Sequence, residues 1–510
     1  METSTCTLYE AVYTKPGNPN HQGNPLIEAL PEIKDREGWF RSLMFRPGYD
    51  SAERLRSEGD RLDAIQSILR FHQPDGTDVE IAFKTDRCLR WGYVCRNPVS
   101  SEYPKIYQKI SGNQKYSLPS YEPKTYGFSI IGISGIGKTT TMEMILRQYP
   151  QVIEHKSYHG TMLYMKQVVW LKVDFPSDGL VKGFCMAFFR RLDAVLGTDY
   201  AETMSKRRAT LDTMVSCMEK TVVTHNIGIL VVDELQHLAG VSAAQAETML
   251  NFLITVVNTL GIPVITIGTP KALELYGKEL QQAKRGSGQG SVFWNRITDR
   301  PTWSRFLKAM WQYQYTREAV DLTDELDEAF YSEAQGIPFV AVHLYKLVQE
   351  RAILSRKESF SVKDVHATAS RDLKLTEPMR RALRDGKEVD LQNYLDIRPL
   401  SERYYNYFDI GAEKSAPVSE PETKISVSEK AIRLLCSMKF TPSEAEKAVH
   451  RVIAGKETLP PLPELIQCAL NNLMNTEQKD TIDSAEQSIV NMDGYESLKD
   501  AGFIDKEMAG

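Results

Sequence analysis

One stretch, Gly127–Thr140 (GFSIIGISGIGKTT), restricts the fold more than any other part of the chain. An apolar run of Phe128, Ile130, Ile131 and Ile133 leads into Gly132-Ile-Ser134-Gly135-Ile136-Gly137-Lys138-Thr139, and a helical TTMEMILRQY follows. The spacing G-x-x-x-x-G-K-T is that of a phosphate-binding P-loop, which needs a strand before it and a helix after it. Glycines let the backbone curl so that successive N–H groups face phosphate oxygens. The helix that begins near Lys138 aims its positive dipole end at the same anion. Lys138 reaches the β- and γ-phosphates as a point charge, and the Thr139 hydroxyl suits Mg²⁺. The candidate nucleotide contacts are therefore Gly132, Ser134, Gly135, Ile136, Gly137, Lys138, Thr139 and Thr140, with ATP and Mg²⁺ as the expected ligands.

Composition narrows the class. With 510 residues, 42% hydrophobic and 25% charged, the chain has the profile of an ordinary soluble protein with ample material for buried cores. A formal charge of −5 argues against a uniformly basic nucleic-acid binder but leaves room for a local basic surface. Of seven cysteines only Cys88 and Cys95 are close, and no second pair stands near them to complete a zinc site. Reduced thiols are expected. METSTCTLYE lacks a charged-then-apolar leader, and no apolar run approaches the ~18 residues of a membrane span. An intracellular, cytoplasmic protein is the expectation.

Taken in order, residues 1–125 hold turn chemistry at Gly17-Asn-Pro-Asn and Gly23-Asn-Pro, a short helical Leu26–Leu30, and a helical pattern over Ser51–His72. Arg87-Cys-Leu-Arg-Trp-Gly-Tyr-Val-Cys-Arg96 interleaves arginines with aromatics. It reads as a packed β-strand with solvated arginines, or else as a surface that stacks on bases. The region is expected to be an appendage facing a partner or DNA. Residues 126–310 alternate strand and helix: strands at Val168–Asp174, Gly228–Glu234 and Ile262–Thr269, helices at Leu180–Leu196 and Leu211–Thr224. That alternation predicts an α/β fold with a mostly parallel sheet and ligands at the carboxyl ends of its strands. Residues 311–395 turn helical, with Leu322–Ala334 stopping at Gly336, Pro338 opening the next helix, and a capping box at Ser361-Val-Lys-Asp364. They predict a helical lid. Residues 396–428 read as a linker, and 429–510 as a small C-terminal helical domain, with a helix start at Thr441-Pro-Ser-Glu444, and a polar tail.

Asp233 and Glu234 complete the candidate active site. The apolar run before them fits a central strand beside the P-loop strand. Asp233 would join the Mg²⁺ shell, and Glu234 would orient and activate the attacking water. Thr269 closes a neighbouring strand, where it either senses the γ-phosphate or lytic water or caps the helix at Pro270. Hydrolysis also needs a cation against charge developing on the γ-phosphate. Arg285, beside Lys284 and the Gly286-Ser-Gly-Gln-Gly290 run, is the candidate finger acting on a neighbouring subunit, and Arg296 is its rival.

These residues carry a resemblance. The P-loop, Asp233-Glu-Leu-Gln-His-Leu238, Ile267-Gly-Thr-Pro270 and the three-helix lid resemble AAA+ ATPases. Asn251–Asn258 with Gly261–Lys271, Lys284–Gly290 with Phe293-Trp294, and Asn24–Pro31 resemble the transposition regulators called TnsC and their TniB relatives. The likeness covers about residues 20–390. It implies a bacterial, slowly hydrolysing ATPase that forms rings or filaments on double-stranded DNA and links a target-selector protein to transposase subunits. One departure stands out: Gly336-Ile-Pro-Phe-Val-Ala-Val-His343 lacks the arginine that many AAA+ lids place there. Candidate DNA contacts are Lys156 and Lys166, in the loop His155–Lys166 after the P-loop helix, and Lys206, Arg207 and Arg208. The competing class is a signalling or scaffold ATPase that oligomerises with nucleotide and binds only proteins. A translocating helicase, suggested by Asp-Glu-Leu-Gln alone, would need a second core with arginine motifs, and the sequence shows none.

Overall fold

The structure is a computed structural model that describes residues 8–101, 103, 127–274, 290–385, 396, 435, 442–453, 465, 468 and 469. The chain divides into two compact units, Met1–Ile410 and Gly411–Gly510.

The first unit opens with β1 (Leu8–Glu10), α1 (Pro25–Glu28), α2 (Arg36–Leu43), α3 (Glu58–Ala64) and α4 (Gly76–Val94). The expected helix over Ser51–His72 is broken: tight 3-10 turns at Ser51–Leu55 and Ile65–Arg70 flank α3. The arginine-aromatic stretch is no strand. It closes α4, which a reciprocal capping box of Asp75 and Asp78 starts. Helical spacing places Arg90 one turn from Asp86, which it meets at 3.0 Å, and both are buried. Arg96 is buried too, donating to the carbonyls of Ile227 at 2.6 Å and Gly228 at 3.2 Å. Arg96 thus pins the end of α4 to the ATPase core and Arg90 is buried against α4 and the Pro31 carbonyl, whereas Arg87 of the same stretch is exposed as expected.

The core alternates β2 (Phe128–Gly132), α5 (Lys138–Leu146), β3 (Val152–Tyr158), β4 (Thr161–Val168), β5 (Trp170–Asp174), α6 (Val181–Leu196), α7 (Tyr200–Lys206), α8 (Leu211–Thr224), β6 (Ile229–Asp233), α9 (Ala243–Leu260), β7 (Val264–Gly268) and β8 (Val292–Trp294). Five strands form one parallel sheet in the order β5-β6-β7-β2-β8. The carboxylate strand β6 is therefore not beside the P-loop strand β2; β7 lies between them. Period-two alternation divides the sheet between two cores. Ile229 and Val231 of β6 join a cluster with Leu89, Tyr93, Phe128 and Ile130, whereas Leu230 and Val232 join Phe184, Phe188 and Met218 on the opposite face. Burial on both faces explains why these strands read as continuous apolar runs. A smaller sheet, β1-β3-β4, carries β1 parallel to β3 and β3 antiparallel to β4. The expected loop His155–Lys166 is thus a β-hairpin, turning at His159 and Gly160, both with positive φ.

Where the sequence predicts a three-helix lid over 311–395, the described residues form five helices that begin earlier: α10 (Arg300–Trp311), α11 (Asp324–Ala334), α12 (Pro338–Leu354), α13 (Val362–Asp372) and α14 (Glu377–Asp385). Gly336 ends the α11 turn at φ +72°, where a Cβ would sit 2.1 Å from the Ile297 carbonyl oxygen, so no other residue fits. The capping box of Ser361 and Asp364 starts α13 as the sequence predicts. In the second unit the described helix is α15 (Pro442–Ile453), with Ala448, Val449 and Val452 buried. Among the described residues no helix is long and apolar enough to cross a membrane.

One ion pair ties the N-terminal segment to the lid. Arg61, 1% exposed, forks onto Glu358 with two hydrogen bonds of 2.7 Å and reaches the Tyr315 carbonyl at 2.9 Å. The Arg61 hydrogen bonds hold the Glu358 carboxyl below its usual range. A lowered folded value means stability present above the unfolded carboxylate pKa and lost as pH falls through the folded one. Glu358→Ala would strand the buried guanidinium and should lower unfolding free energy by about 3 kcal/mol in urea titration at neutral pH, with a smaller deficit in acid. An unchanged midpoint would show that the pair does not hold the lid.

Candidate nucleotide-hydrolysis site

The site forms where the ends of β2, β6 and β7 meet the start of α5. Gly135 and Gly137 take φ of +82° and +113°, the left-handed backbone that the loop needs and that side chains resist. A Cβ on Gly137 would meet nothing within 4 Å; one on Gly132 would lie 2.6 Å from the Trp294 carbonyl oxygen. The first glycine is required by the close approach of β8, the last by its positive φ. Lys138 is buried and donates to the carbonyls of Gly132 at 2.7 Å and Ile133 at 2.9 Å. Burial pulls its ammonium down to about 8, against the opposing pull of Asp233, Glu234 and Asp396.

Asp233, 3% exposed, joins the strand end to the loop. Its Oδ2 accepts from Thr139 Oγ1 at 2.9 Å and its Oδ1 from the Glu234 backbone N–H at 2.8 Å. Glu234 sits at φ +62°, ψ +35°, a left-handed conformation that costs a non-glycine residue about 1 kcal/mol or more. Such strain is characteristic of sites that aim one side chain. A hydroxyl and a buried carboxylate make an oxygen donor set suited to a hard divalent cation, and the open glycine cradle suits a polyphosphate, so the residues present fit ATP with Mg²⁺.

A cavity of about 920 Å³ opens over these groups, lined by Ser134–Thr140, Asp233, Glu234 and Thr269. Its far wall was not legible in the motifs. Residues Leu69–Gly76 and Asp78 of the N-terminal segment contribute, together with Arg305, Phe339 and His343 from α10 and α12. The side of α12 that meets the cavity presents Phe339, Val342 and His343 and no arginine, as the Gly336–His343 sequence implies. The amide of Phe339 donates to the Gly135 carbonyl at 3.2 Å, which couples the lid to the loop.

The segment from 125 to 276 matches a known family, the AAA domain. The chain carries an ATPase core. No curated protein matches the chain. Among solved structures it is similar to the Aeropyrum pernix ORC2 protein in its ADPNP–ADP complexes, at 12% identity over 74% of this chain and 93% of that one, TM-score 0.33. It is also similar to Drosophila ORC bound to DNA, at 12% identity over 79% and 87% with TM-score 0.31. A Walker-type ATPase of Pyrococcus abyssi shares 13% identity over 73% and 89%, TM-score 0.31.

Within the AAA domain, Thr269 is buried, and its hydroxyl donates to the Asp396 carboxylate instead of capping the turn at Pro270. Gln236, part of the Asp233–Leu238 stretch, donates to Glu234 and accepts from the Thr269 N–H at 3.3 Å. It bridges the two residues expected to handle the lytic water. Arg285 and Lys284 lie outside the described residues. Arg296 donates to the Gln335 side chain at 2.9 Å, on the lid of its own chain. Lys156 and Lys166 lie exposed on the β3–β4 hairpin, and Lys206, Arg207 and Arg208 are exposed at and after the end of α7. Lys156 pairs with Glu10 at 3.1 Å and Lys206 with Glu202.

Asp396 is the unexpected occupant. Its backbone carbonyl accepts from the Ser134 N–H at 2.9 Å, and its carboxylate takes the Thr269 hydroxyl. Both donors are ones expected to face a terminal phosphate, so Asp396 would compete with a bound triphosphate for them. Asp396→Ala should tighten ATP binding about five- to tenfold in equilibrium titration, because one competing hydrogen bond and one repelling charge are gone. Unchanged or weaker binding would show that Asp396 does not compete.

Proposed function

We propose that the chain is an ATP-dependent AAA+ regulator of DNA transposition that oligomerises on duplex DNA and links a target-selector protein to transposase subunits. The observation that carries the ATPase half is the Thr139–Asp233 hydrogen bond with Glu234 held beside it, a loop and a strand end meeting at one oxygen-lined point. The resemblance of Asn251–Asn258, Gly261–Lys271 and Asn24–Pro31 to TnsC and TniB proteins supports the transposition half. In this reading the glycine cradle and Lys138 bind the phosphates. Thr139 and Asp233 hold Mg²⁺, which when bound offsets phosphate charge. Glu234 orients water, with Thr269 and Gln236 fixing its position. Arg285 of a neighbouring subunit supplies the finger, Arg296 being occupied within its own lid. Lys156, Lys166 and Lys206–Arg208 supply phosphate contacts to DNA.

One observation favours the rival reading, a scaffold ATPase that binds only proteins. Acids accompany the basic candidates: Glu10 pairs with Lys156 and Glu202 with Lys206, all exposed. Paired lysines offer less net charge to a phosphate backbone.

Glu234→Gln separates the two. It keeps the shape of the site and cannot activate water, so with ATP it should form long-lived oligomers on long duplex DNA and release phosphate only at background. Affinity should fall with salt at a log–log slope near −0.9 per phosphate contact, with little sequence preference. Nucleotide-dependent oligomers that never shift duplex DNA at low salt would establish the protein-only reading.

A further inference from the structure

Lys172 is the third residue of β5, with its Cα paired to Val231 of β6. Its neighbours Leu171 and Val173 point into the α6–α8 core, so alternation turns Lys172 to the opposite face, where α5 lies. There its ammonium sits 3.2 Å from Asp233 Oδ2, 2.9 Å from Glu143 Oε1 on α5, and 4.0 Å from Asp174 Oδ1. The side chain is 14% exposed, and its partner Asp233 4%. No motif marks this lysine, yet it shares with Thr139 the same oxygen of Asp233.

That sharing has two physical consequences. A fixed cation on Oδ2 and an N–H on Oδ1 leave the carboxylate one orientation, aimed at Thr139. The same cation also subtracts from the negative potential at the Thr139 hydroxyl, because a unit charge this close in a buried setting is weakly screened. Glu143 and Asp174, 43% and 73% exposed, face the ammonium from α5 and from its own strand and are better screened than Asp233. We propose that Lys172 is a positioning residue that aims Asp233 and weakens the site for a divalent cation alone, so that the cation is held only together with nucleotide phosphates. This rests on the reading of Asp233 as part of the cation shell.

The test is a Mn²⁺ titration of the full chain followed by electron paramagnetic resonance, with and without ATP, alongside steady-state hydrolysis. Lys172→Met keeps the length of the side chain and removes its charge. It should bind Mn²⁺ without nucleotide at least about tenfold more tightly than the parent, and its kcat should fall about tenfold with KM for ATP nearly unchanged. Lys172→Arg should return both toward the parent. Glu143→Gln, which removes the other partner, should leave Mn²⁺ affinity as it was. Mn²⁺ affinity unchanged or weakened in Lys172→Met overturns the proposal. So does a Glu143→Gln variant that reproduces Lys172→Met, because the lysine would then be only a strut between β5 and α5. If Lys172→Met does not fold, Lys172→Gln provides the same comparison. Asp233→Asn distinguishes a failure of the underlying reading: if it binds Mn²⁺–ATP as well as the parent does, Asp233 is outside the cation shell.

Discussion

The hydrogen bond from Thr139 to Asp233 is the contact on which the rest depends. Thr139 comes from the first turn of α5 and Asp233 from the end of β6, two strands away from β2 in the sheet. Their 2.9 Å contact therefore requires β7 to be in register with both neighbours. Everything that holds the parallel sheet together holds this contact: the glycine against Trp294, the alternating apolar residues of β6, and the helices on both faces. Loss of register by one residue would turn Asp233 away from Thr139 and swap the alternating side chains of β6 between the two cores.

The ATPase core is not confined to the segment that carries the motifs. Arg96 caps the carbonyls of Ile227 and Gly228 just before β6, and Tyr93 donates to the Asn226 carbonyl at 2.9 Å. Arg61 reaches from α3 to Glu358 beyond α12. The N-terminal helices thus brace both the carboxylate strand and the lid, and Leu69–Gly76 line the cavity between them. The nucleotide would touch all three regions at once.

Local chemistry was legible where a pattern and a structure share one period. The apolar run Ile229–Val232, the helix Leu211–Thr224 and the Ser361 capping box follow from neighbours in sequence. Residues 87–96 misled because aromatic residues mask the helical spacing of Asp86, Arg90 and the Gly92 carbonyl that Arg96 uses. Strand order could not be read, since nothing in β6 or β7 encodes which lies next to β2. The roles of Lys172, Gln236 and Asp396 were invisible for a related reason. Each gains its meaning from a partner on another element, and a lysine in a strand or an aspartate after a run of helices is unremarkable in sequence.

In the mechanism proposed above, Asp233 and the P-loop act together as one hydrolytic site. The direct measurement is steady-state phosphate release by the full chain carrying Asp233→Asn, with circular dichroism to establish that the fold is kept. Asn keeps the Glu234 N–H contact but removes the charge shared by Thr139 and Lys172, so hydrolysis should fall by about a hundredfold or more. Hydrolysis at the parent rate in a folded Asp233→Asn variant would contradict the account.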